Sequence, residues 1–169
     1  MLFYYKDRFK KKMKIVFYSM GKADDALFAA AIHAYGKKIN FYLSFEAEVL
    51  PPGKQSSKLP QKEQKVQEGK SIVQMLQPGD HIVLLDDKGK EYTSMEFARF
   101  IEKKSLSVPK RLVFIAGGPY GFSEEVYRLA NEKLSLSRMT FTHQMVRLVF
   151  TEQLYRAMTI LRNEPYHHE

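Results

Sequence analysis

The chain alternates, five times over, between a short apolar run and a longer stretch with helical spacing, and that alternation limits what it can fold into. Lys14 to Tyr18, Ile39 to Leu43, Ile82 to Leu85, Arg111 to Ala116 and Leu134 to Phe141 read as strands. Near-continuous apolar strands of this kind are buried on both faces. Between and after them come helical segments over Ala23 to Tyr35, Glu63 to Gln77, Ser94 to about Lys104, Ser123 to about Asn131 and Gln144 to Asn163. The pattern predicts an α/β domain with a mainly parallel sheet flanked by helices.

Local chemistry supports these boundaries. Asp24 and Asp25 suit the positive end of the first helix, where Leu27, Ala30, Ala31 and Ala34 form a narrow apolar stripe. Pro78-Gly79 stops the second helix, and Ser94 is expected to cap the third. Glu46 to Gln61 carries three prolines and Gly53, so it reads as a long loop whose Lys54 and Lys58 suit either an RNA-facing or a solvated role. The last helix is apolar on more than one side: Val146, Phe150, Leu154 and Met158 on one, Met145, Leu148 and Tyr155 on another. Such a helix is expected to serve both a core and a partner subunit, which predicts a homodimer.

The absence of cysteine excludes disulfides, thiolate catalysis and cysteine-held metals. His33, His81, His167 and His168 lack a third ligand at metal spacing, so no metal is expected. A net charge of +8 fits a polyanionic partner such as RNA, though part of it lies in residues 1–12. That segment is read as a basic extension, disordered or arising from an upstream start, ahead of a single domain over 13–169. Its apolar-then-basic order is the reverse of a signal peptide, and no run is long enough to span a bilayer. A cytoplasmic protein without a membrane partner is expected.

Gly117-Gly118-Pro119-Tyr120-Gly121 follows an apolar strand and precedes a helix, the position where open α/β sheets bind ligands. It matches neither a dinucleotide fingerprint nor a phosphate loop, and a tight turn explains it as well. His143 with Arg147, and Glu152 with Arg156, each sit four residues apart on the last helix; the second pair reads as an ion pair.

Several of these segments, in order and at matching spacing, resemble the ribosomal RNA large subunit methyltransferase H family of the SPOUT class. They are VFIAGGPYG over Val113 to Gly121, LSLSRMTFTHQMVR over Leu134 to Arg147, EQLYRA over Glu152 to Ala157 and the terminal PYHHE. The resemblance spans Met13 to Glu169, with a weaker match at Gln67-Glu68-Gly69.

The resemblance implies a SPOUT-type α/β fold with a carboxyl-terminal trefoil knot. It also implies a homodimer that methylates N3 of a pseudouridine in 23S ribosomal RNA from S-adenosylmethionine, on free rRNA or the assembled ribosome. Carried over by motif, Leu85, Gly117, Gly118, Leu136, Ser137, Arg138, Met139, Thr140 and Phe141 would line the cofactor site. Tyr166, His167 and Arg156 would serve catalysis, with His167 as proton acceptor; Arg147, Arg156 and His168 would bind RNA. The chain departs from the family pattern at Thr142, where proline is common, so a less fixed backbone is expected there. It departs again at His168, where a permanently cationic residue is usual. A related enzyme acting on another RNA such as tRNA, or a non-catalytic ribosome-associated module, would share much of this pattern.

Overall fold

The computed structural model describes residues 13–168, so the basic extension lies outside the described residues. Five strands form one parallel sheet in the order β2-β1-β4-β3-β5. The strands are β1 (Lys14–Met20), β2 (Ser44–Leu50), β3 (His81–Glu91), β4 (Arg111–Ala116) and β5 (Glu132–Ser135). The helices are α1 (Ala26–Asn40), α2 (Gln61–Met75), α3 (Ser94–Ser107), α4 (Glu124–Leu129) and α5 (His143–Leu161).

Strand alternation divides the core in two. Ile15 and Phe17 of β1 face a cluster with Ile39, Phe97, Ile101, Phe150 and Leu154, which places α1, α3 and α5 on one side. Val16, Tyr18 and Met20 face Ile72, Phe122 and Val126, on the side of α2 and α4. At the centre Phe150 packs tilted against Phe17 and Phe114, with centroids 4.4 and 4.7 Å away.

Several predicted boundaries move. Ile39 to Leu43 is not a strand: α1 continues to Asn40, and β2 takes up Ser44–Leu50, the start of the supposed loop. Asn40 explains the break, because its side chain donates to the carbonyls of Gly36 and Phe45 and accepts from the Phe45 amide, closing the helix onto the strand. In α1 the buried face carries Ile39, flanked by half-buried Phe28, Ile32 and Tyr35, while Leu27, Ala30 and Ala34 of the predicted stripe are exposed. Thr93, not Ser94, caps α3, in a reciprocal capping box with Glu96. Of the last predicted strand, Leu134 to Phe141, only Leu134 and Ser135 pair with the sheet, as the end of β5, which starts earlier at Glu132; 136–142 is loop.

Sheet order positions the candidate site. β4, β3 and β5 are adjacent, so the segments following β4 and β5 emerge beside one another. β3 contributes a bulge rather than an end: Leu85 and Lys90 both register with Leu134, leaving Asp86 to Gly89 looped out at the same edge. Among the described residues no helix is long and apolar enough to cross a membrane.

Candidate active site

Three segments enclose a cleft of about 810 Å³: the β3 bulge, the glycine turn after β4, and the loop between β5 and α5. All nine residues expected to line a cofactor site lie in its wall: Leu85, Gly117, Gly118, Leu136, Ser137, Arg138, Met139, Thr140 and Phe141. Gly121, with φ of 79°, closes the turn in a conformation that favours glycine, and its amide donates to the Gly118 carbonyl at 3.2 Å. Ser137 Oγ accepts from the Met139 amide at 2.9 Å, shaping the opposite wall, and Met139 stands 77% exposed at the rim. At Thr142 the hydroxyl caps α5 by accepting from the Met145 amide.

The cleft is apolar at Leu85, Ala116, Phe122 and Val146 and polar at one corner. There the Tyr127 hydroxyl donates to Asp86 Oδ2 at 2.5 Å. Burial and this bond push the Tyr127 phenol up to about 12. For Asp86, burial works against the charge, but the Tyr127 hydroxyl, the Lys88 amide and nearby Lys133 outweigh it and hold the carboxyl below its ordinary range. Neither residue was singled out from sequence; the Asp86-Asp87 pair at a strand end was the available signal.

Arg156, Tyr166 and His167 also come together, but elsewhere. Arg156 Nη2 donates to Glu152 Oε1 at 2.6 Å, and Tyr166 donates to the same oxygen at 3.0 Å. Arg156 lies 4.8 Å from the centroid of the Tyr166 ring, which meets Tyr155 edge-on. Burial and hydrogen bonds with Tyr35 and Glu152 raise the Tyr166 phenol above its ordinary value, while the bond to Glu152 raises Arg156. Arg156 Nη1 lies 3.3 Å from His167 Nδ1; because arginine only donates, Nδ1 is the acceptor and a neutral ring carries its proton on Nε2. His168 is exposed. None of these residues lines the cleft of the same chain.

Arg147 requires a correction. Its side chain is 3% exposed and its guanidinium bonds Ser19 Oγ, the Lys22 carbonyl and Asp24 Oδ1 at 2.8, 2.9 and 2.6 Å. A guanidinium engaged in this way fixes the β1–α1 connection against α5 and is not free to clamp an RNA phosphate. Among the described residues no group of three or more histidine, aspartate or glutamate side chains is placed to hold a metal ion.

Residues 13–167 match the family model described as "Predicted SPOUT methyltransferase". The "Ribosomal RNA large subunit methyltransferase H" of Parabacteroides distasonis is 58% identical over 157 residues, covering 93% of this chain and 100% of that protein. The protein of the same name from Bacteroides fragilis is 52% identical over the same shares of both chains. The chain belongs to the ribosomal RNA large subunit methyltransferase H family, within the SPOUT methyltransferases.

Among solved structures the likeness is one of fold. The crystal structure titled "Probable Methyltransferase from Bordetella pertussis Tohama I" superposes with a TM-score of 0.51 at 10% identity, over 92% of this chain and 98% of that one. At that identity the likeness concerns the α/β architecture alone. The glycine turn is one wall of a cleft formed where β4, β3 and β5 lie side by side.

Proposed function

We propose that this protein transfers a methyl group from S-adenosylmethionine to N3 of a pseudouridine in 23S ribosomal RNA, as a cytoplasmic homodimer acting on free rRNA or the assembled ribosome. The carrying observation is the single cleft that gathers all nine expected cofactor residues from three separated segments. Its walls suit such a ligand. The backbone of Gly117 and Gly118 lines one side, and Leu85, Leu136 and Phe141 supply apolar surface for an adenine ring. The cofactor supplies an electrophilic sulfonium methyl when bound.

The chain's own task is then to place an acceptor nitrogen in line and receive its proton, so positioning dominates the acceleration. Tyr166 offers a stacking face, Arg156 offers positive charge and His168 a hydrogen-bonding ring toward RNA, and His167 accepts the proton. In the described arrangement the His167 Nδ1 lone pair faces Arg156, so proton acceptance at that atom follows opening of this bond by an engaged phosphate.

Two observations support dimerisation. Met145, Leu148, Val149 and Ile160 leave α5 only half-buried in one chain, and the tail cluster stands apart from the cleft of its own subunit. A second subunit covering α5 would bring one tail to the other cleft. The test is incubation with labelled S-adenosylmethionine and ribosomal particles at successive assembly stages, followed by mapping of the modified nucleoside. N3-methylpseudouridine is expected; label in a tRNA, or in a uridine, overturns the acceptor assignment, and no cofactor binding favours a non-catalytic module.

A further inference from the structure

A second cavity, of about 700 Å³, adjoins the cleft and shares Gly118, Pro119, Thr142 and His143 with it. Its far wall comes from the 3-10 turn at Ser56–Lys58 and from α2, and it contains two polar groups that the fold leaves without partners. Glu68 is 4% exposed; its Oε1 accepts from Gln64 Nε2 at 2.9 Å, while Oε2 makes no hydrogen bond among the described residues. Ser56 is 2% exposed and its Oγ is likewise unpartnered. Buried polar atoms are nearly always paired, so two orphans on residues that line one cavity point to a ligand that presents matching groups. Lys22 and Lys54 also line this cavity, as suits a ligand with a phosphate backbone.

The orphan groups form an acceptor and a donor. Glu68 Oε2 takes an N–H; the Ser56 hydroxyl gives a hydrogen bond to a carbonyl. An adjacent N–H and C=O is what a pyrimidine edge presents. Pseudouridine differs from uridine in carrying N1–H, next to its C2 carbonyl, where uridine has its glycosidic bond. N3, on the other side of that carbonyl, is then left to face the cleft. We propose that Glu68 and Ser56 read the N1–H and C2 carbonyl of the acceptor base, and so select pseudouridine over uridine. Glu68 is a specificity residue here, its carboxylate packed against Gly118, whose missing side chain leaves room for it.

This inference rests on the proposed acceptor, and its test separates the two. Single-turnover transfer by the full-length protein is measured on ribosomal particles carrying pseudouridine or uridine at the acceptor position, with cofactor affinity from calorimetry. Wild type favours pseudouridine, and Glu68→Leu lowers the pseudouridine-to-uridine rate ratio about 10- to 100-fold, because a base N–H then goes unpaired, with the cofactor Kd held within about twofold. Ser56→Ala moves the same ratio in the same direction. If Glu68→Leu does not fold, Glu68→Gln, of equal size but with one oxygen replaced by a donor, is expected to lower the ratio. An unchanged ratio, or a wild type that takes both bases equally, overturns the inference while leaving methyl transfer in place. Weakened cofactor binding with an unchanged ratio assigns Glu68 to the amino-acid end of the cofactor instead. A wild type that methylates neither particle overturns the proposed function itself.

Discussion

Arg147 and Asp24 form an ion pair almost closed to solvent, with Nη1 2.6 Å from Oδ1 and side chains 3% and 8% exposed. The pair joins the start of α5 to the connection between β1 and α1, and next to it the Asp25 amide donates to Gln144 Oε1 at 2.7 Å. Removing one partner leaves the other charge buried and uncompensated. Asp24→Asn is expected to lower unfolding free energy by about 3–5 kcal/mol, read from urea denaturation at fixed protein concentration. A loss below about 1 kcal/mol would show that the guanidinium is satisfied by Ser19 and the backbone carbonyls without the carboxylate.

Asp86 and Tyr127 predict two titrations of opposite sense. The Tyr127 phenol is raised from its ordinary 10.0 to about 12, so its contribution to stability is complete below pH 10.0 and fades as pH climbs toward 12. The Asp86 carboxyl is lowered from 3.8, so its contribution is present above that value and disappears as pH falls through the lower, folded value. Tyr127→Phe removes the hydroxyl that links them. In ultraviolet titration the phenolate absorbance gained above pH 10 should fall by the amplitude of one tyrosine, and the Asp86 carboxyl resonance should titrate at higher pH than in wild type. Superimposable carboxyl titrations in the two proteins would mean that the Lys88 amide and Lys133 hold Asp86 down without the tyrosine.

Gly118→Ala tests the close approach at the turn. The new Cβ would overlap the Glu68 carboxylate, with Cδ only 2.7 Å away, so either the carboxylate or the turn has to shift. S-Adenosylmethionine affinity by calorimetry should fall at least about tenfold, since the displaced segment is a wall of the cleft. An affinity within about twofold of wild type would mean the cofactor does not touch this turn.

Much of the architecture was legible because β1, β4 and the first half of β3, over Ile82 to Leu84, are buried on both faces and therefore apolar nearly throughout. Edge strands carry no such signature. β2, at one edge, reads SFEAEVL with Glu46 and Glu48 turned outward, so the apolar residues Ile39 to Leu43 looked more like a strand than the strand itself. The Thr93–Glu96 capping box was spelled out in sequence but one residue away from the chosen cap. Arg147 misled for a different reason: its partners Ser19 and Asp24 lie more than a hundred positions away, and spacing along α5 reports only the helical face. Glu68 shows the same limit, since a glutamate within a polar helix gives no sign of being 4% exposed. The nine cleft residues were reached through motif resemblance, not periodicity, because loops encode geometry in no repeating pattern.

The separation of the tail cluster from its own cleft yields the sharpest prediction about assembly. If each active site joins one subunit's cleft to the other's Tyr166 and His167, two different defects can complement. Gly118→Ala damages the cleft and leaves the tail intact; His167→Ala does the reverse, and should cut methyl transfer far more than cofactor binding. Both homodimers would then be nearly inactive. A heterodimer of the two variants, isolated through distinct affinity tags, would contain one site built from the sound cleft of the His167→Ala chain and the sound tail of the Gly118→Ala chain. Its methyl-transfer rate should recover to about half that of wild type, one site of two being whole. If cleft and tail serve the same subunit instead, every site in the heterodimer carries a defect and activity stays at the level of the homodimeric variants.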